Sequence, residues 1–290
     1  MWHILLHSAK ETLMLLPFLF LSYLLMEFLE HKSGNAAEKL LKGSGRIGPV
    51  IGSVFSVIPQ CGFSVAATGL YTGRVITVGT LIAVYLSTSD EMLPILVSEG
   101  IGLPFILKIL ATKLIIGICA GFIIDLIFSL IRKRKNRVQK PQIEELCERE
   151  HCHCHHNIAL SALKHTAQVA LFVFLFTFLL HGAIELIGEN NLKSLAVSNS
   201  LLGNLMTALL GLVPNCASSV IITELYIEGV ISVGSMLSGL LVNSGVALAV
   251  LFKNNRPISD SFRILAILFL VSLALGTLID LTPIAKILSL

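Results

Sequence analysis

Long apolar runs alternate with short polar interruptions along this chain, and the alternation has the same order twice. The runs 12–28, 105–131 and 167–187 can each cross a hydrocarbon layer of about 30 Å at roughly 1.5 Å per helical residue. Each half opens with a long apolar helix, expected at about 12–30 and 160–187. A segment broken at Pro-x-Cys follows, at about 47–72 and 201–227. The next is interrupted by Ser, Thr, Asn and Gly, at about 75–97 and 230–252. A long helix closes each half, at about 103–132 and 261–284. The pieces flanking Pro59 and Pro214 are too short to span alone. Proline removes a backbone donor and obstructs the preceding turn, so each motif predicts either a re-entrant hairpin or a helix broken within the membrane.

The two halves are copies. At an offset of 155 residues, Pro59-Gln60-Cys61-Gly62-Phe63-Ser64 aligns without gaps on Pro214-Asn215-Cys216-Ala217-Ser218-Ser219, and 13 of the 33 positions from 59 to 91 are identical. The same offset pairs Glu30 with Glu185, Gly79 with Gly234, Ser89 with Ser244, Gly121 with Gly276 and Asp125 with Asp280. Chance alignment of apolar text would match Leu and Val, not acids, Cys and Pro in one frame.

Composition supports a membrane protein. Of 290 residues, 54% are hydrophobic and only 13% charged, and the mean hydropathy is +0.85; a soluble domain carries about 25% charged residues. The first apolar run is too long for a cleavable signal and lacks a small-residue cleavage site. Six cysteines without such a signal do not suggest a disulfide framework.

Orientation follows from basic residues in the short loops. With the N-terminus outside, the inside segments 31–46, 74, 132–158 and 253–263 hold 15 Lys and Arg. The outside segments 1–11, 88–102, 188–200 and the C-terminus hold three, Lys10, Lys193 and Lys286. Each half then crosses an odd number of times, so the second is inverted. The expected fold is all-α and integral to the membrane, with two inverted-topology repeats, broken or re-entrant helices and about 8–10 membrane segments. Residues 1–131 form the first repeat, 132–158 a cytoplasmic His/Cys-rich linker and 159–290 the second repeat, with both termini outside. The basic run 132–137 anchors a helix end at the anionic leaflet.

Three sets of residues could carry chemistry. Inverted repeats with matching breaks point to a transport site near the midplane. There Gln60, Cys61 and Ser64 would face Asn215, Cys216 and Ser219, and Asn243 and Ser244, with Ser87, Thr88 and Ser89, would supply neutral oxygens. Paired thiols suit soft or borderline cations or trivalent arsenic; the plainer reading is a small filler at a tight helix contact. The second set is the paired acids Glu30, Glu185, Asp125 and Asp280, which would bind the cation or exchange protons with it unless they are solvated at helix ends. The third is the linker tract Cys147, His151, Cys152, His153, Cys154, His155 and His156. It reads as a loose capture or sensing segment for Zn²⁺, Cu or Ni²⁺, against a solvated tail as the alternative.

The Pro-Gln-Cys61 and Pro-Asn-Cys216 motifs, with the His/Cys-rich central linker, resemble the ten-helix heavy-metal exporter family, whose members are described as arsenic efflux proteins or manganese transporters. The resemblance covers nearly the whole chain and implies an inner-membrane efflux permease that is not an enzyme. Related organoarsenical permeases carry a Cys-rich motif after the proline, whereas this chain has one Cys per half there. That departure leaves room for a divalent ion such as Mn²⁺, which prefers carboxylates and carbonyls.

No G-x-x-x-x-G-K-[ST] occurs, so transport would draw on an ion gradient, with protons as the coupling ion, unless the protein is a passive channel. No cofactor beyond the transported ion and no nucleic-acid partner is expected; the partners are the bilayer, the ion and, compatibly with the sequence, further copies of the chain. Two other classes compete. An intramembrane enzyme acting on a lipid phosphate would need clustered cations, but Arg74, Lys108, Lys113, Lys164 and Arg263 mostly read as helix ends. A membrane metal sensor would use the linker as its reader.

Overall fold

The computed structural model describes residues 47–58, 61–89, 92–135 and 200–283, with 12–24 and 163–178 in part, and residues 285 and 288. Regular structure among the described residues is entirely helical. The first half contains α1 (Ile47–Ser56), α2 (Cys61–Thr72), α3 (Val78–Ser87), α4 (Met92–Ser98) and α5 (Leu103–Lys135). The second contains α6 (Ser200–Gly211), α7 (Cys216–Ile227), α8 (Val233–Val242), α9 (Ala247–Asn254) and α10 (Ile258–Leu281). Helices α2 and α7, and α3 and α8, have bounds offset by the same 155 residues as the sequence repeat. The described parts of 12–24 and 163–178 are also helical.

The polar interruptions predicted from sequence are where helices stop. α2 and α7 restart at Cys61 and Cys216, just after the prolines. α3 ends at Thr88 (ψ 132°) and α8 at Asn243 (ψ 108°), both outside the helical region. Among the described residues, four stretches are apolar and long enough to cross a membrane: Val78–Ser98, Leu103–Ile131, Val233–Asn254 and Ile258–Leu281.

Every residue of α3 and α8 is buried, whereas α5 and α10 expose Ile115, Ile123, Leu126, Leu130, Phe262, Leu270 and Leu278. The buried pair therefore forms the centre, and the long helices turn an apolar face to the lipid. Small residues bring the two layers together. A Cβ on Gly79 would collide with the Gly121 carbonyl and Asp125, and one on Gly234 with the Gly276 carbonyl and Asp280.

Contacts between the halves are reciprocal. α2 packs on α9, its repeat partner α7 packs on α4, and α3 meets its own partner α8. A two-fold relation between the copies requires this pattern, and it brings the breaks of both halves to one central interface.

Candidate functional site

The amino ends of the central helices come first, because acids hold them. Thr77 caps α3, its Oγ1 accepting from the Thr80 amide at 3.2 Å. Asp125 on α5 completes the end: Oδ2 accepts from Thr77 Oγ1 at 2.6 Å and Oδ1 from the Gly79 amide at 2.8 Å. The second half repeats the arrangement. Ser232 accepts from the Ser235 amide at 3.0 Å, and Asp280 accepts from Ser232 Oγ at 2.7 Å and the Gly234 amide at 3.0 Å. A helix amino end carries unpaired amides and about half a positive charge, so a carboxylate there is stabilised.

At the carboxyl ends of the same helices lies a narrow polar hollow, about 13 Å away along α3 at 1.5 Å per residue. It is lined by Thr88, Ser89, Met92, Lys113, Ser219, Leu240 and Asn243, with about 170 Å³ between its atoms and no room for a water-sized sphere. Beside it, Thr88 Oγ1 shares hydrogen bonds of 2.8 Å with both Ser56 and Ser64. Ser64 and Thr88 have Ser219 and Asn243 as repeat partners, so both halves contribute equivalent positions. The Asn243 side-chain oxygen accepts from the Gly245 amide at 2.9 Å, but among the described residues its Nδ2 has no hydrogen-bond partner, and neither has the hydroxyl of Ser244. Both residues are nearly fully buried, at 3% and 2% exposure. Leaving such groups unmet costs about 1–3 kcal/mol each.

Among the described residues, one charged side chain lines the hollow. Lys113, on α5 and 1% exposed, donates from Nζ to the Thr88 carbonyl of its own half and to the Leu240 carbonyl of the other at 3.1 Å. Both carbonyls belong to the last turn or cap of a helix, where the i+4 amide is missing and about half a negative charge accumulates.

A second link between the halves lies at the turn after α2. Arg74 pairs with Asp260 Oδ2 at 3.0 Å and donates to Asn255 Oδ1 at 3.2 Å and the Arg256 carbonyl at 3.0 Å. Tyr71 donates to the same carboxylate oxygen at 2.7 Å. Burial works against the Arg74 charge, but its electrostatic interactions and hydrogen bonds with Tyr71 and Asp260 outweigh it, and the pKa rises above the usual arginine value. At the repeat-equivalent position, Phe105 stacks on Tyr226 at 5.7 Å. Arg74 takes a left-handed backbone (φ 57°), and its repeat partner Gly229 does the same (φ 73°).

A family profile described as "Putative, 10TM heavy-metal exporter" matches residues 4–167 and 155–288, nearly the whole chain in two segments that overlap at 155–167. The chain belongs to this family. No curated protein and no solved structure matches it.

This member of the exporter family distributes its sequence-predicted residues over more than one place. Ser64, Ser219, Asn243 and Ser244 gather at or beside the hollow. Asn215 is fully buried at the second break, its carbonyl accepting from Ser218 Oγ at 2.7 Å. Cys61 and Cys216 are the first residues of α2 and α7. Asp125 and Asp280 hold helix amino ends at the far end of α3 and α8, because those ends need an anion. Gln60, Glu30, Glu185, Cys147, His151, Cys152, His153, Cys154, His155 and His156 lie outside the described residues. Among the described residues, no three of His, Cys, Asp and Glu gather as metal ligands would. Lys113 belongs to a group of cations that mostly read as helix ends in the sequence, and the structure places it at the hollow. The signal was that, of the two cations inside the apolar run 105–131, Lys108 has a basic repeat partner in Arg263 whereas Lys113 is matched by Leu268.

Proposed function

We propose that this chain is a secondary transporter that exports a divalent transition metal or trivalent arsenic across the cell's inner membrane. The two repeats are inverted relative to each other and rock about the central hollow to give alternating access. One observation carries the reading: equivalent breaks of both copies meet where Asn243 and Ser244 are buried with polar groups unmet. Groups of that kind are retained at a cost in stability when a solute uses them.

Inversion is supported by the loop charge count and by the reciprocal packing of α2 on α9 and α7 on α4. Inverted copies would bring the carboxyl ends of α3 and α8 together from opposite sides, which suits a cation. The breaks supply carbonyl and hydroxyl oxygens for a harder ion, and Cys61 and Cys216, at the restart of α2 and α7, are the thiols a softer one would choose. Both termini lie outside, and the linker tract 147–156 captures metal in the cytosol before export. Protons are the coupling ion, and the unit in the membrane is one chain or a homo-oligomer of it.

Purified protein in liposomes, assayed with Mn²⁺, Zn²⁺, Fe²⁺ and arsenite, tests this directly. Uptake of at least one of them, saturable and absent from empty vesicles, is the expected result. No flux of any of the four would end the reading.

A further inference from the structure

A cavity of about 670 Å³, open on one side, adjoins the second break. Leu212 and Pro214 of the break form one part of its wall, Leu248, Ala249 and Phe252 of α9 another, and Leu265 of α10 a third. Walls of this kind take an apolar group. Two cations stand among them, Lys253 in the last turn of α9 and Arg256 just after that helix. Lys253 is held in place. Its Nζ lies 4.8 Å from the ring centroid of Phe172, another lining residue, and donates to the Gln168 carbonyl at 3.2 Å. Arg256 is exposed, and the link to Arg74 goes through its carbonyl, not its guanidinium.

Two like charges in the lining repel a metal cation, so this cavity does not suit the ion. They attract an anion, and the walls around them suit a hydrocarbon chain. An anionic phospholipid has both features. The repeat indicates the side of the membrane. At the offset of 155 residues, Leu248, Phe252 and Leu265 correspond to the apolar Leu93, Val97 and Leu110, but Lys253 and Arg256 correspond to Ser98 and Ile101. Both copies keep the apolar positions and only one carries the charges. The loop charge count puts 253–263 on the cytoplasmic side, where bilayers present anionic headgroups. The cations are in the copy that needs them.

We propose that this cavity binds one anionic phospholipid of the cytoplasmic leaflet. Lys253 and Arg256 hold its phosphate, the guanidinium as a fork and the ammonium as a point charge. One acyl chain lies along Leu212, Leu248, Phe252 and Leu265, and the other stays in the bilayer. The volume falls within the roughly 300–1,000 Å³ of ligand pockets. Because Pro214 lines the same cavity, the lipid touches the second break, and leaflet composition acts on a segment that moves during transport. That coupling and the side of the membrane rest on the transporter reading; the site itself does not.

The test uses the full chain, purified in a neutral detergent and titrated with phosphatidylglycerol or with phosphatidylcholine of the same chains. Native mass spectrometry counts bound lipid, and thermal unfolding is followed in parallel. One phosphatidylglycerol per chain should stay bound and raise the unfolding temperature, at a concentration at least tenfold below that needed with phosphatidylcholine. The preference should shrink as salt rises. Lys253→Gln combined with Arg256→Gln should abolish it. Arg263→Gln removes an exposed charge of α10 that does not line the cavity and should keep it. Should the double variant fail to fold, Arg256→Gln alone, at an exposed position, should still weaken phosphatidylglycerol binding severalfold. Equal binding of the two lipids overturns the site, as does equal protection by inorganic phosphate. So does a preference retained by the double variant, or by Arg256→Gln where only that variant folds. No step measures metal flux, so the transporter reading stands or falls separately.

Discussion

Asp125 and Lys113 are both carried by α5 and complement the two ends of α3. The carboxylate takes the amide of Gly79 at the amino end, and the ammonium takes the carbonyl of Thr88 at the carboxyl end. The spacing from 113 to 125 is about 18 Å along a helix at 1.5 Å per residue, somewhat longer than the roughly 13 Å of α3, so the two side chains bracket it. A short helix buried on all sides has no water to satisfy its terminal groups, so the neighbouring long helix must do it. In the second half Asp280 repeats the acid's part, but Leu268 stands where the lysine would be. One lysine therefore serves two helix ends, and the symmetry of the duplication is broken at its centre.

The acids are predicted to be structural. Asp125→Ala and Asp280→Ala should each destabilise the protein by about 2 kcal/mol, the value of a helix cap with charge-assisted hydrogen bonds. The two costs should be similar, because the geometry is the same. Asp→Asn should cost less at either place, since an amide oxygen still accepts. Thermal unfolding in detergent supplies the ranking. Transport lost in Asp280→Asn with unchanged thermal stability would mean instead that these carboxylates handle the ion.

The turn at Arg74 allows a sharper comparison of three variants. Alanine at this position loses the ion pair with Asp260 and keeps the left-handed backbone, which costs a non-glycine residue about 1–2 kcal/mol. Glycine loses the ion pair and relieves that strain, and its repeat partner is already Gly229. Arg74→Gly should therefore unfold at a higher temperature than Arg74→Ala, with the wild type above both. Equal temperatures for the two variants would remove backbone strain from the account.

Much of this architecture is legible from the sequence, for a physical reason. A helix that ends inside the membrane must expose backbone groups, and only proline, small hydroxylated residues and amides tolerate that. The breaks at Pro59, Pro214, Ser89 and Asn243 therefore stand out against apolar text. Pairing within the repeat also picked out Asp125 and Asp280, but it could not say which end of which helix they served, because their partners are backbone amides 46 residues away. Lys113 shows the opposite blind spot. A search for matched residues passes over a residue whose importance is that it has no match. Arg74 was visible only as a basic residue in a loop, since its partners Asn255 and Asp260 come from the other copy.

The cysteines give a prediction about selectivity. Cys61 and Cys216 open α2 and α7 directly after the breaks, where a thiol is the softest donor on offer. Cys61→Ser and Cys216→Ser should lower arsenite and Zn²⁺ flux roughly tenfold, the factor that corresponds to about 1.4 kcal/mol, while leaving Mn²⁺ flux nearly unchanged. A panel of ions on one reconstituted preparation measures this. If all ions fall together, the cysteines pack helices; if none falls, the oxygens of the breaks act alone.

Ser244 and Ser272 make the strongest internal control, because each carries a buried hydroxyl without a partner among the described residues but in a different setting. Ser244 adjoins the hollow at the end of α8. Ser272 lies on α10 against α8, where its carbonyl accepts from Ser238 Oγ at 3.4 Å. Removing an unsatisfied hydroxyl eliminates its desolvation penalty, so Ser244→Ala and Ser272→Ala should each stabilise the protein by about 1 kcal/mol. Only the first should depress metal flux, because stability withheld at a working site is recovered at the expense of function. A stabilised Ser244→Ala that transports as well as Ser272→Ala would show that the unmet groups beside Lys113 never meet the solute.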